Sequence, residues 1–275
     1  MFNGNWDGSI SPSVKLSPRQ LTVIAGPCML ESLELGLNVG RFLQEVCMEM
    51  GFQYIFKASF DKANRTSKLG VRGPGFEKGL EWLGAIRDEL KLPILTDVHT
   101  ADQVGGLAKV CDVLQVPAFL CVERSLVEAV AQCGKTIQLK KGQHLSVEEM
   151  FSVARIIQDL GNNRVIICER GSCFGYNNLV VDYRNLHEVS EAGFASFFDA
   201  THSAQLPGAG NGASSGLRHV VPALARAAVA VGVEGLFLEV HENPAAALSD
   251  ADTQLDFELA RQVLKEVRAV HAARQ

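Results

Sequence analysis

The sequence lacks an excess of positive charge and an apolar run of membrane length, and no secretory leader is expected. Its 26 Lys and Arg stand against 31 Asp and Glu, for a formal net charge of −5. Nucleic acid demands a basic face for its phosphates, so this balance argues against a nucleic-acid partner. It leaves room for a small anionic substrate, which needs only a local group of cations. No uninterrupted apolar run is long enough to span a bilayer, so no membrane partner is expected. Met1 to Pro12 is polar and rich in Gly and Ser, without the basic-then-apolar order of a leader. The expected location is the cytoplasm. A disulfide framework is also missing. The seven cysteines are scattered and odd in number, and Cys111 and Cys168 sit in apolar strand-like runs. They read as buried thiols in a reducing compartment. No linker or composition shift divides the chain, so residues 1–275 are expected to form one catalytic domain with a short N-terminal extension.

What is present is a regular alternation. Hydrophobic residues make up 47% of the chain, enough for one substantial core. Short β-branched runs alternate with longer stretches of helical spacing. The runs begin at Leu21, Tyr54, Pro93, Val113, Thr136, Val165, Phe197 and Leu236. The helical stretches between and after them include 31–50, 79–90, 147–160, 219–231 and 255–272. Such alternation indicates parallel β/α architecture. Eight strand–helix pairs in this length predict a closed (β/α)8 TIM barrel.

In that fold, reactive groups stand at the C-terminal ends of strands. Those places hold Cys28, Lys57 with Ser59, Asp97 with His99, Gln115, Lys140 with Lys141, Glu169 with Arg170, His202, and Glu239 with His241. Burying such groups costs several kcal/mol unless they are paired or bind a ligand. A few salt bridges and solvent-facing side chains would explain part of the set, but not all of it. Lys57, Lys62, Arg65, Lys140 and Arg170 form a cationic group. Singly, each is more often a surface charge. Together at strand ends they predict a substrate with several anionic groups.

Cys28, His202, Glu239 and Asp250 offer one sulfur, one nitrogen and carboxylate oxygens. A divalent Fe2+, Zn2+ or Mn2+ ion would accept that mixture. Their wide spacing is weak evidence by itself, since an apolar-flanked cysteine is usually core. The run from Leu206 to Gly216 is rich in Gly and small polar residues. It is either an ordinary loop or a segment that offers backbone N–H groups to an anion and covers the reaction.

Several segments in order carry a resemblance. They are Ile24-Ala-Gly-Pro-Cys28, Phe56-Lys-Ala-Ser-Phe-Asp-Lys-Ala-Asn-Arg-Thr-Ser67, Arg72-Gly-Pro-Gly75, Thr96-Asp-Val-His99 and Gln115-Val-Pro-Ala-Phe-Leu120. Further on come Lys140-Lys-Gly-Gln143, Glu169-Arg-Gly171, Phe174-Gly-Tyr-Asn-Asn-Leu-Val-Val-Asp182, Phe198-Asp-Ala-Thr-His-Ser203, Gly235-Leu-Phe-Leu-Glu239 and Leu248-Ser-Asp250. With these the chain resembles the 3-deoxy-D-manno-octulosonate 8-phosphate synthases, within the class I DAHP/KDO8P synthase superfamily. The resemblance implies condensation of phosphoenolpyruvate with arabinose 5-phosphate and release of phosphate. It implies that Lys57, Lys62, Lys140 and Arg170 hold phosphoenolpyruvate, with Ser59, Gln115, Phe119 and Gln143 shaping the pocket. Asn64, Arg65 and Thr66 match the segment that holds the phosphorylated aldose. Cys28, His202, Glu239 and Asp250 match the ligands of the metal-dependent branch; the metal-independent branch carries Asn at the position of Cys28. Lys57, Asp97, His202 and Asp250 form the candidate catalytic set, although ligation would occupy two of them. A homotetramer is the implied assembly.

The chain also departs from the pattern. After Phe119-Leu-Cys121 the family usually has Arg-Gln-Thr, and here stand Val122, Glu123 and Arg124. His144 stands where the family often has Phe. The first change loses a cation that commonly reaches the neighbouring subunit's sugar-phosphate site. It leaves open a sibling synthase with another aldose acceptor. A catalytically retired barrel acting as a binding subunit is the reading from a different class.

Overall fold

A computed structural model describes residues 2–62, 72–208 and 215–275. The chain opens with a small antiparallel hairpin, β1 (Ser9–Ser11) and β2 (Val14–Lys15). Strands and helices then alternate: β3 (Thr22–Gly26), α1 (Leu33–Met50), β4 (Gln53–Lys57), α2 (Phe76–Leu90), β5 (Ile94–Asp97), α3 (Val104–Val110), β6 (Val113–Val116), α4 (Arg124–Ala131), β7 (Thr136–Lys140), α5 (Val147–Asp159) and β8 (Val165–Glu169). A second hairpin, β9 (Ser172–Gly175) and β10 (Asn178–Val180), precedes α6 (Arg184–Glu191) and β11 (Ala195–Asp199). A two-residue pair, β12 (Gln205–Leu206) and β13 (Ser215–Gly216), comes before α7 (Val221–Val231), β14 (Gly235–Glu239) and α8 (Phe257–Ala273).

Eight of these strands close a barrel in the order β3, β4, β5, β6, β7, β8, β11, β14 and back to β3. Every pairing in the ring is parallel. Each apolar run picked out in the sequence is a strand of this ring. The predicted (β/α)8 barrel is the observed fold. The main boundary difference is at α2, which starts at Phe76 rather than Gly79 because Gly75 occupies its N-cap. Local signals set other helix ends. Ser32 accepts from Leu35 N at 3.0 Å, Asp256 accepts from Leu259 N at 2.8 Å, and Ser146 with Glu149 forms a capping box.

Successive strand residues face opposite sides, and the two faces build two cores. Val23, Ala25, Tyr54, Phe56, Ile94, Leu114, Ile137, Leu139, Ile167, Phe198, Leu236 and Leu238 join the layer between strands and helices. Ile24, Ile55, Leu95, Val113, Ile166, Cys168, Ala195, Phe197 and Phe237 fill the barrel interior. The N-terminal extension is a correction to its polar appearance. Trp6, Ile10, Val14 and Leu16 are buried in that same interior cluster. Four apolar side chains spaced among Gly, Ser and Asp escape a search for continuous runs, but the hairpin gathers them on one face.

The interior face is apolar at one end and polar at the other. One step of two residues takes Ile55 to Lys57, Leu95 to Asp97, Val113 to Gln115, Gln138 to Lys140, Phe197 to Asp199 and Phe237 to Glu239. All of these residues are buried. The strand period therefore delivers a ring of charged and amide groups to one mouth of the barrel. Gly26 allows close approach there, since a Cβ at this position would lie 1.9 Å from the Lys57 carbonyl oxygen.

Candidate active site and metal centre

Phe237 is the floor of the mouth. The Lys57 and Lys140 ammonium groups stand 5.3 and 3.3 Å from the centre of its ring. Lys57 donates to Glu239 Oε1 at 2.5 Å and to the Cys28 carbonyl oxygen at 3.1 Å. Lys140 pairs with Asp199, and both side chains are buried. Arg170 donates from Nη2 to Gln205 Oε1 at 2.8 Å. Its Nη1 is buried with no hydrogen-bond partner within the described residues. Burial lowers the pKa of this guanidinium, against the opposing pull of Asp199, Asp250 and Glu169. A buried donor held in this way is ready for an incoming anion.

Asp97 anchors a second group. It accepts hydrogen bonds from Ser59 Oγ and Gln115 Nε2. Gln138 donates to Gln115 Oε1 at 2.7 Å, and Lys62 donates to Ser59 Oγ at 2.9 Å. Burial alone would raise the Asp97 carboxyl, but Lys62, Lys57 and His99 outweigh it and hold the group below its ordinary range. Burial likewise opposes the Lys62 charge, and Cys28, Glu239, Asp97 and Asp250 overcome it and raise that pKa.

Three of the four expected metal ligands converge. Ligand atoms of Cys28, Glu239 and Asp250 all lie within 4.8 Å of one another. Cys28 Sγ donates to Asp250 Oδ2 at 2.9 Å. Burial, followed by the Asp250 and Glu239 charges, pushes its thiol pKa well up. His202 Nε2 stands 3.6 Å from Glu239 Oε2 and 3.9 Å from Asp250 Oδ2, at the edge of this group. The other ring nitrogen, Nδ1, lies 2.7 Å from Asp199 Oδ2. Glu239 Oε2 is buried without a hydrogen-bond partner among the described residues. A thiol, an imidazole and two carboxylates around an unsatisfied anionic oxygen fit a divalent transition ion by chemistry.

Other expected residues lie farther out or elsewhere. Phe119 is half-exposed on the turn after β6, and Gln143 is half-buried, its carbonyl oxygen accepting from Cys173 N at 2.9 Å. Asn64, Arg65 and Thr66 lie outside the described residues, as does the middle of the Leu206–Gly216 run. Lys141, grouped with the strand-end charges, is buried against Ser172 Oγ at 2.8 Å and Glu169 Oε2 at 3.8 Å. Asp199, Gln205 and Gln254 also reach the mouth, and no role is expected of them from the sequence. Asp199 had a signal, two residues beyond the interior Phe197. Gln205 and Gln254 had none, because segments outside the barrel's strand–helix repeat bring them in: Gln205 reaches Asp250 Oδ1 at 2.9 Å and Gln254 accepts from Cys28 N at 2.9 Å.

Comparison with known proteins meets this geometry. The model of the DAHP synthetase I family matches residues 17–273. The chain belongs to the DAHP synthetase I family. Proteins named 2-dehydro-3-deoxyphosphooctonate aldolase are similar over most of their length. The one from Desulfotalea psychrophila is 44% identical over 94% of this chain and 92% of its own. That from Legionella pneumophila strain Corby is 47% identical over 91% and 92%. That from Verminephrobacter eiseniae is 50% identical over 84% of each. The family match takes in every barrel strand and every residue of the mouth described above. It begins after the hairpin that plugs the other end.

Proposed function

We propose that this protein joins phosphoenolpyruvate to arabinose 5-phosphate, giving 3-deoxy-D-manno-octulosonate 8-phosphate and inorganic phosphate. This is the synthase activity that the name of its relatives denotes. The observation that carries the reading is the meeting of Lys57, Lys140 and Arg170 with Cys28, Glu239 and Asp250 at one barrel mouth. Cations suit a substrate bearing both phosphate and carboxylate. The C3 carbon of phosphoenolpyruvate attacks the aldehyde carbon, water adds at C2, and the C–O bond to phosphate breaks. The water oxygen becomes the C2 carbonyl oxygen as phosphate departs with the C–O electron pair; one proton of the water reaches the former aldehyde oxygen and the other leaves with the phosphate.

In this reading Lys57, Lys140 and Arg170 align the anion over Phe237 and neutralise charge as it moves toward the departing phosphate. Ser59, Lys62, Gln115, Phe119 and Gln143 close the same pocket. Asn64, Arg65 and Thr66 hold the sugar phosphate. Asp97 handles a proton, while His202, with Nδ1 on Asp199 and Nε2 facing Glu239 and Asp250, is left to the metal. Cys28, His202, Glu239 and Asp250 would hold one Fe2+, Zn2+ or Mn2+ ion. When bound, such an ion supplies Lewis acidity for orienting an oxygen of the aldehyde or of water. No described helix is long and apolar enough to cross a membrane. The reading places one catalytic domain in the cytoplasm and assembles it as a homotetramer, with Phe119 (49% exposed) and Val122 (61% exposed) available for subunit contact.

A second acceptor has one observation in its favour. Arg124 is tied to Glu128 on its own helix and is exposed, so it is not poised to replace the Arg missing at Val122. Phosphate release from phosphoenolpyruvate with a panel of aldoses tests both readings. Preference for arabinose 5-phosphate supports the first, and preference for another aldose supports the sibling synthase. No turnover with any aldose, with or without added divalent metal, overturns both and leaves the retired barrel.

A further inference from the structure

We propose that Asp199 and Gln205 are positioning residues that couple the metal ligands to the anion-holding cations, so that filling either half of the site tightens the other. The inference rests on the reading of the mouth given above and adds a regulatory link between its halves. Each of three cations is tied to a different member of the ligand set. Lys57 reaches Glu239 directly. Lys140 reaches His202 through Asp199. Arg170 reaches Asp250 through Gln205.

Asp199 is fully buried and shared on all sides. Its Oδ2 meets Lys140 Nζ and His202 Nδ1, the latter at 2.7 Å. Its Oδ1 accepts from His202 N at 2.9 Å and Thr201 Oγ1 at 3.1 Å. Thr201 Oγ1 in turn accepts from Glu239 N at 3.2 Å. A carboxylate in this position turns the imidazole so that Nε2 faces Glu239 and Asp250. Gln205 works through its amide. Its Oε1 accepts from Arg170 Nη2 at 2.8 Å while its Nε2 donates to Asp250 Oδ1 at 2.9 Å.

The direction of coupling follows from competition within each bridge. A cation on Nε2 makes the Nδ1 proton of His202 a stronger donor, which draws Asp199 toward the ring and loosens its hold on Lys140. A cation on Asp250 withdraws charge from Oδ1, depolarises the Gln205 amide and makes Oε1 a weaker acceptor for Arg170. Both changes release a buried cation toward an incoming anion. By linkage, an anion that takes up Lys140 and Arg170 must tighten metal binding by the same factor.

The test is calorimetric titration of metal-stripped protein with Mn2+, with and without phosphoenolpyruvate, and the converse titration. Wild-type protein should show each ligand tightening the other about fivefold or more. Gln205→Ala and Asp199→Asn should each lower that ratio by about threefold or more, since each removes one bridge and leaves the other bridge and the Lys57–Glu239 contact in place. The same metal-free variants should bind phosphoenolpyruvate at least as tightly as metal-free wild type, because the cation is no longer held back. Simple damage would weaken binding in every state. Thermal melts accompany each variant, and if Asp199→Asn melts early the half-buried Gln205→Ala decides the result. Unchanged ratios in folded Gln205→Ala overturn the coupling while the proposed activity stands. Wild-type protein that binds neither Mn2+ nor phosphoenolpyruvate overturns the proposed function itself, and the coupling with it.

Discussion

Lys57 and Glu239 lie 182 residues apart in sequence, yet their side chains meet at 2.5 Å, exposed by only 1% and 0%. Both charges left water to reach this place, so neither tolerates loss of the other. Glu239→Gln should destabilise the fold by about 3–5 kcal/mol, because it leaves a buried ammonium with neutral carbonyl acceptors and no anionic partner on that side. Replacing both partners with apolar residues should cost much less in stability while abolishing turnover. Urea unfolding measures both effects. A single-variant loss under roughly 1 kcal/mol would show that other partners satisfy Lys57.

Removing divalent metal should remove activity. Dialysis against a chelator is expected to give inactive but folded protein, with activity returning on addition of Mn2+, Zn2+ or Fe2+. Cys28→Ala should weaken metal binding, since it deletes the sulfur donor from a site whose other groups are hard oxygens and an imidazole. Full turnover by protein whose metal content has been verified as nil would contradict this.

Val122→Arg should raise kcat/KM for arabinose 5-phosphate and leave that for phosphoenolpyruvate unchanged. One charge-assisted phosphate contact is worth about 1.5–3 kcal/mol. That converts to roughly a ten- to hundredfold change in affinity. Arg124 is exposed and pairs with Glu128 on its own helix, so the cation lost at Val122 is not restored at that position. An unchanged ratio together with high wild-type efficiency would mean that the sugar phosphate is held elsewhere.

Asp97 should contribute stability that is lost in acid. Its carboxyl is buried, but Lys62, Lys57 and His99 hold its folded pKa below the ordinary value of 3.8. The unfolded chain therefore takes up the proton first as pH falls. The stabilisation is complete above that value and is lost as pH drops through the folded pKa. Asp97→Asn should be less stable at neutral pH and lose less on acidification. Denaturation curves at a series of pH values check it. Parallel losses in both proteins would remove Asp97 from the acid response.

Trp6→Ala should lower stability by about 3 kcal/mol or more, the usual cost of a large aromatic cut from a core. Trp6 packs in the interior cluster at the end of the barrel away from the mouth. The Michaelis constants should therefore hold while Tm falls. A large rise in KM without loss of Tm would mean that the hairpin communicates with the mouth.

Local pattern was enough to reveal the barrel. Each strand run is short, apolar and followed by a helix-spaced stretch; parallel strands joined by helices bury that pattern in an open sheet or a closed barrel, and eight such units in this length point to the barrel. The strand-end placement of Lys57, Asp97, Gln115, Lys140 and Glu239 followed from the same period. The N-terminal plug escaped because its four apolar residues are separated by polar ones, and only hairpin pairing puts them on one side.

The sequence by itself determined which groups would stand at the mouth, because side-chain direction along a strand repeats every two residues. Only the tertiary structure decided which of them touch. Closing the ring set β14 beside β3 and β11, which brought Glu239 to Lys57 and placed Asp199 and His202 nearby. Gln205, on the two-residue β12, and Asp250, on a loop, lie outside the ring and its repeat. Their meeting at 2.9 Å is fixed by packing across 45 residues of chain, and short-range spacing carries no record of a contact made at that distance.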